Sequence, residues 1–128
     1  MPRIGGTLPD SYGLSASVYV PTATTAAPIA KGQPLTFADT GGYHAAAAAA
    51  GATVELIAKH GVEDGQTPLG VYVVGFSRID ELKYTGDAPA IGGSVEADGA
   101  GAYRAALADN GTRVLYVDTA RMTVDVAY

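Results

Sequence analysis

Short runs of apolar and β-branched residues, separated by turns rich in glycine and aspartate, follow one another along the chain after residue 50. Runs of this kind predict β-strands. The predicted strands cover residues 53–59, 70–76, 94–98, 102–106, 112–118 and 122–128. Their spacing of roughly ten residues leaves no room for crossover helices, so the pattern predicts a mainly β fold, a small antiparallel β-barrel or β-sandwich.

The last predicted strand alternates large apolar residues with smaller or polar ones. Met122, Val124 and Val126 share one face of an extended chain, and the residues between them share the other. This alternation is typical of a half-buried strand. We therefore expect an exposed sheet edge at the end of the chain.

Two segments allow a helical alternative. Residues 45–50 are all alanine, the best helix former, but the run is too short to stand alone and fits equally a strand followed by a loop. Residues 77–83 begin with Ser77, a potential N-cap, and predict about one or two helical turns. Neither alternative changes the predicted fold class.

Residues 32–46 and 92–106 align without a gap. In both copies a glycine opens a short apolar run, an aspartate and small residues make a turn, and a tyrosine begins the return run, as in a β-hairpin. The identical pairs are Gly32 with Gly92, Gly41 with Gly101, Tyr43 with Tyr103, Ala45 with Ala105 and Ala46 with Ala106. The alignment predicts two related β-units, at residues 28–76 and 88–128. The alternative is a chance match, because alanine and glycine are common throughout the chain.

The N-terminal segment is unusual because residues 11–30 carry no charge while being rich in proline, alanine and threonine. We predict an extended N-terminal arm, residues 1–27, that becomes ordered against a partner, in front of a body formed by residues 28–128. The predicted contact residues of the arm are Leu8, Tyr12, Leu14, Val18, Tyr19 and Val20. The alternative is a flexible N-terminus with one strand around residues 17–20.

Composition and charge narrow the class of protein. The chain has 128 residues, no cysteine and a formal net charge of −5, so we expect one domain without disulfides or cysteine-ligated zinc. No apolar run approaches the roughly 20 residues of a membrane span, and the first residues lack a signal-peptide core, so we expect a protein made in the cytoplasm without a membrane partner. Scattered lysine and arginine in an acidic chain argue against nucleic-acid binding.

Few residues are candidates for catalysis. His44 and His60 lack the spacing of metal-ligating motifs, and His60 with Glu63 and Asp64 would make at most a loop site. Ser77 lacks the second glycine of a nucleophile elbow. We therefore predict that the protein is not an enzyme and has no cofactor and no metal.

Tyrosine is abundant, with eight of the ten aromatic residues. Its amphipathic ring suits half-buried and interface positions, so we expect about half of the tyrosines in the core and the rest at contacts between subunits. The candidate subunit contacts are Tyr43, Tyr103 and Tyr128.

Four stretches together resemble the small capsid decoration, or cement, proteins of tailed bacteriophages. They read PIAKGQPLTFADTGGYHAA, VELIAKHGVEDGQTPLGVYVVGF, PAIGGSVEADGAGAYRAA and VDTARMTVDVAY, and they cover most of residues 28–128. The resemblance implies a β-barrel or β-sandwich body on the outside of the virion capsid, often as a homotrimer, with the major capsid protein as partner and the arm bridging capsid subunits. The long alanine run after His44 departs from the family pattern.

A second class of function fits the same residues. In this alternative the protein is a β-barrel binding or adhesion module of a phage tail or cell surface. Loops at residues 62–69 or 86–91 would then contact a glycan or a receptor.

Overall fold

The computed structural model describes residues 14–75 and 79–128, and this part of the chain contains ten β-strands and no helix. The strands are β1 (Leu14–Val18), β2 (Pro34–Phe37), β3 (Ala45–Ala47), β4 (Leu56–Ala58), β5 (Leu69–Val73), β6 (Ile79–Lys83), β7 (Val95–Ala97), β8 (Tyr103–Ala105), β9 (Arg113–Asp118) and β10 (Thr123–Ala127). All the paired strands are antiparallel. The predicted mainly β, antiparallel fold is therefore confirmed.

The first five strands form one sheet in the order β1-β5-β4-β2-β3. Its two edges meet only at an isolated parallel bridge between Tyr19 and His44, where the backbone N–H of Tyr19 donates to the carbonyl oxygen of Tyr43 at 2.9 Å. One bridge is not a continuous ladder. The described residues therefore form no closed barrel.

The last five strands form a related arrangement of two sheets. β6, β10 and β9 form one sheet and β7 pairs with β8. Two backbone bonds of 2.8 Å join these parts, from Gly92 N–H to Val114 O and from Val114 N–H to Gly93 O. The segment just before β7 therefore lies beside β9, so β7-β8 follows β6-β10-β9 in space, as two sheets where the first five strands form one. We call β1–β5 the first unit and β6–β10 the second unit.

The turn that opens each predicted hairpin is the same in both units. Gly32 has φ 83° and Gly92 has φ 87°, the left-handed conformation that glycine adopts without steric cost. The N–H of Gly32 donates to Ala58 O at 2.8 Å, as the N–H of Gly92 donates to Val114 O. The sequence repeat therefore marks equivalent turns.

The return strands of the two hairpins do not follow the gapless alignment. Leu35 lies opposite Ala47 in the first unit, whereas Val95 lies opposite Ala105 in the second. The second hairpin loop is therefore two residues shorter. A shift of two residues keeps every side chain on its face of the sheet, so the change is compatible with the same core. It makes Ala45, and not Tyr43, the structural counterpart of Tyr103.

Two hydrophobic cores are separated by β4. Leu56 and Ala58 belong to the core inside the first unit, which also contains Val18, Leu35 and Val71. Ile57, between them, points to the opposite face, as alternation along a strand requires. There it joins a second core formed with the strands of the second unit. β4 is buried on both faces.

The predicted arm boundary at residue 27 is wrong for the described part of that segment, residues 14–27. Leu14–Val18 is β1 and pairs with β5 over its whole length. Val18 and Val20 are fully buried in the first core. An uncharged strand with alternating apolar residues is stabilised by burial within its own chain, so this segment belongs to the first unit. The predicted contacts Leu8 and Tyr12 lie outside the described residues.

Two further expectations need correction. The helix considered for residues 77–83 is wrong, because Ile79–Lys83 is β6 and pairs with β10. The exposed edge expected at the chain end is also wrong, since β10 lies between β6 and β9.

The alanine run starts as a strand, the second of its two alternatives, because Ala45–Ala47 pairs with β2.

Replacing Ile57 by alanine should destabilise the whole protein, because this side chain joins the first unit to the second core. We expect Ile57→Ala to lower the free energy of unfolding by about 3 kcal/mol in urea denaturation. Ile91→Ala is the matched control, since Ile91 is 69% exposed. An Ile57→Ala loss no larger than the Ile91→Ala loss would contradict the role of β4 between the two cores.

Candidate functional site

Only some of the predicted arm contacts reach the surface. Leu14 and Tyr19 are exposed, whereas Val18 and Val20 are buried. Alternate residues of a strand point to opposite faces, so the two valines enter the first core while Tyr19 points outward. The prediction that Val18 and Val20 contact a partner is therefore wrong.

The three predicted subunit contacts also differ in how exposed they are. Tyr43 is exposed, while Tyr128 is half-buried and packs against the second core. Tyr103 is 1% exposed, so its assignment as a contact is wrong. Its hydroxyl donates to Gly32 O at 3.0 Å. Burial raises the pKa of the Tyr103 phenol, and the charge of Asp80 raises it further.

Three exposed aromatic side chains lie on adjoining segments of the first unit: Tyr19, Phe37 and Tyr43. We call these three residues together the aromatic surface. By strand alternation Phe37 shares a face with Leu35, whereas Tyr19 points to the opposite face. The backbone of Tyr19 bonds to Tyr43 O and to Ala45 N, each at 2.9 Å, and Phe37 lies opposite Ala45 in the β2–β3 ladder. The exposed fractions are 39% for Tyr19, 53% for Phe37 and 72% for Tyr43. Exposed aromatic residues on a fixed backbone are typical of protein interfaces.

The loop that carries Tyr43 is organised around His44. The His44 Nδ1 atom lies 2.8 Å from Thr40 Oγ1, and the His44 carbonyl accepts a 2.9 Å bond from Ala38 N–H. The imidazole ring lies against Gly41, where an added Cβ would come within 2.7 Å of the ring. Gly41 therefore cannot be replaced without moving His44, and the loop has a defined shape.

Tyr43 has a backbone conformation that is costly for its residue type. Its φ is 57°, in the left-handed region, where an L-residue loses roughly 1–2 kcal/mol. The matching position of the second unit, given by the strand registers, is Gly101 with φ 94°. One unit thus uses the residue that fits this conformation, and the other places a large exposed ring there.

The second unit exposes a different pair of large side chains. The β9–β10 register shifts so that Val114 faces Val126 and Tyr116 faces Asp125, leaving Leu115 as the extra residue of a β-bulge. Leu115 and Tyr116 are 40% and 58% exposed. The sequence predicts this strand but carries no sign of the bulge.

The histidine and acid residues that were considered for chemistry have structural contacts. His60 Nδ1 lies 2.9 Å from Gly61 O, and His60 Nε2 accepts from Gly70 N–H at 3.0 Å. Asp64 Oδ1 accepts from the N–H groups of Gln66 and Thr67. No group of three or more histidine, aspartate or glutamate residues in the described ranges is placed to hold a metal ion.

One of the two loops considered for the alternative binding function, residues 62–69, borders a shallow hollow of about 600 Å³. The described residues that line it include Glu63 and Asp64 but no aromatic side chain. A glycan therefore has no ring to stack on at this hollow.

Comparison with protein-family models found no match, and comparison with curated proteins found none. No helix in the described part of the chain has the length and apolar character needed to cross a membrane.

The turn at residues 64–67 should stabilise the protein in a pH-dependent way. The N–H of Gln66, then the hydroxyl and N–H of Thr67, lower the pKa of Asp64. The stabilisation is therefore fully present above the unfolded pKa of about 3.9 and is lost as the pH falls through the lower folded pKa. In urea denaturation, we expect Asp64→Asn to be less stable than the wild type at pH 6 and the difference to shrink at pH 2–3. A difference that stays constant with pH would contradict this account.

Proposed function

We propose that this chain is a structural virion protein of the capsid decoration class. It binds the outside of an assembled tailed-phage capsid through the major capsid protein and stabilises the shell against the pressure of packaged DNA. Its copies form a homotrimer on the capsid surface. The proposal rests on the resemblance in sequence and, above all, on the conformation of Tyr43.

Tyr43 supports a binding role because neither folding nor packing accounts for it. The left-handed backbone costs free energy, and a ring that is 72% exposed recovers little of it by burial. At the matching position of the shorter second hairpin loop, Gly101 has a positive φ and no side chain. A strained, exposed aromatic residue is explained if its ring becomes buried in a complex.

Tyr19 and Phe37 are two further exposed aromatic residues on segments next to Tyr43. Their strands are fixed by antiparallel ladders and by the Tyr19–His44 bridge. Binding through such side chains orders few additional groups, so little of the gained free energy is lost to entropy. Each of these exposed rings offers an apolar contact to another protein.

The stabilising mechanism requires no catalysis. A protein that binds the expanded shell and not its precursor shifts the equilibrium toward the expanded shell by mass action. Icosahedral symmetry repeats each contact many times, so modest contacts add up over the lattice.

Co-sedimentation with capsid shells tests the function. The shells are assembled from the major capsid protein of the same phage genome, in expanded and unexpanded forms. We expect saturable binding to expanded shells, weakened about tenfold or more by Tyr43→Gly. Absence of saturable binding to either form would overturn the proposal and favour a ligand at the loops.

A deletion of residues 1–13 tests the arm without removing β1. A larger deletion, to residue 27, would also remove Val18 and Val20 from the first core. We expect the deletion of residues 1–13 to fold and to bind shells more weakly if these residues clamp capsid subunits. Undiminished binding would leave the aromatic surface as the contact and remove the arm from the proposal.

Tyr43→Gly should weaken shell binding without a large change in the stability of the protein. We expect the free energy of unfolding to change by less than about 1 kcal/mol, because relief of the left-handed strain offsets the greater freedom of glycine in the unfolded chain. Tyr103→Phe is the contrasting variant, since it loses the bond to Gly32 O and about 1 kcal/mol of stability while it keeps shell binding. A large loss of stability in Tyr43→Gly would show that Tyr43 is structural.

A further inference from the structure

A cleft between the two units is not used by the proposed capsid contact. It has a volume of about 620 Å³. Lys31 and Gly32 from the first unit form one side, and β6, β8 and the β9–β10 turn of the second unit form the other. An adjoining hollow of about 260 Å³ shares Lys31, Glu81 and Leu82 and continues along β4 and β5. We call the joined space the interunit cleft.

Positive charge is concentrated in this cleft. The described ranges contain six lysine and arginine residues, and Lys31, Lys59, Lys83 and Arg121 line the cleft. Of the twelve described acids, only Asp80 and Glu81 do so. A chain with net charge −5 thus carries a locally cationic groove. Such a groove attracts anions and opposes other cations.

The cations follow the length of the cleft and do not converge on one point. Lys83 and Arg121 line only the larger space, Lys59 lines only the smaller one, and Lys31 borders both. Arg121 contacts Glu81 at 3.3 Å, and Lys59 Nζ lies 4.7 Å from the centre of the Tyr72 ring. Neither Lys31 nor Lys83 forms an ion pair with a described residue. Two exposed amines are therefore available to a ligand.

The walls of the cleft are formed before any ligand binds. The buried Tyr103 hydroxyl bonds to Gly32 O and ties the second unit to the opening turn of the first. Leu82 lines both spaces and belongs to the second core. Cations spread along a preformed groove suit an extended chain, which can meet them one after another, better than a compact anion.

We propose that the interunit cleft binds an extended, acidic polypeptide segment of a protein partner. Carboxylates of the segment pair with Lys31, Lys83 and Arg121. Asp80 and Glu81 repel a compact multivalent anion, because all of its charge lies close to them. An extended segment can place its carboxylates at the cations instead. The proposal does not depend on the capsid assignment.

The test uses a fluorescent peptide of alternating glutamate and alanine, titrated with the full chain and followed by anisotropy. The matching glutamine–alanine peptide is the ligand control. We expect saturable binding of the glutamate peptide only, weakened about tenfold by Lys31→Glu and by Lys83→Glu. Arg113→Glu makes the same change in net charge outside the cleft and should have little effect.

Three outcomes would overturn the proposal. They are the absence of saturable glutamate-peptide binding, equal weakening by Arg113→Glu, and full competition by tripolyphosphate at the peptide's own concentration. The second outcome indicates attraction to overall charge, and the third indicates a site for small anions. Shell binding is measured separately through Tyr43, so failure of either proposal leaves the other intact.

Discussion

Burial of β4 on both faces is the constraint on which the rest of the structure depends. The chain has few large apolar residues, and much of its apolar content is alanine. A strand of only three residues therefore serves two cores, with Leu56 on one side and Ile57 on the other. The second unit completes its core partly with the outer surface of the first. Because small domains bury a low fraction of their surface, a strand shared by both cores increases what each unit buries.

The two units reach one topology with different bonds. In the first unit β2 and β4 pair through a backbone ladder. At the same place in the second unit, Val95 N–H donates to Thr112 Oγ1 at 3.0 Å, Ser94 Oγ donates to Thr112 O at 2.7 Å, and Asn110 Nδ2 donates to Val95 O at 2.7 Å. These side-chain bonds replace part of the backbone ladder that would join β7 to β9. The buried backbone groups therefore keep hydrogen-bond partners although β7 and β9 lie apart.

Local patterns predict the strands and turns but not the long-range pairing. Strands after residue 50 and the turns at Gly32 and Gly92 follow from short apolar runs and glycine. The pairing of β1 with β5 joins residues far apart, and an uncharged segment looks the same whether it covers a partner or its own core. Tyr43 and Tyr103 have similar neighbours in sequence, yet a two-residue change of register exposes one and buries the other. Register is decided by the pairing of the whole sheet, so the neighbouring residues in sequence do not distinguish the exposed Tyr43 from the buried Tyr103.

Both candidate sites lie where equivalent positions of the two units differ. The opening turn carries Lys31 in the first unit and Ile91 in the second, and the left-handed position carries Tyr43 in the first and Gly101 in the second. The glycines after Lys31 and Ile91 share one left-handed conformation, and Tyr43 and Gly101 both have a positive φ, so neither the charge nor the ring is needed for the chain to turn there. The fold does not require these side chains, and they expose a cation or an aromatic group. They are therefore available to bind partners. The first unit therefore carries the aromatic surface and one wall of the interunit cleft, while the second unit provides the opposite wall and much of the second core.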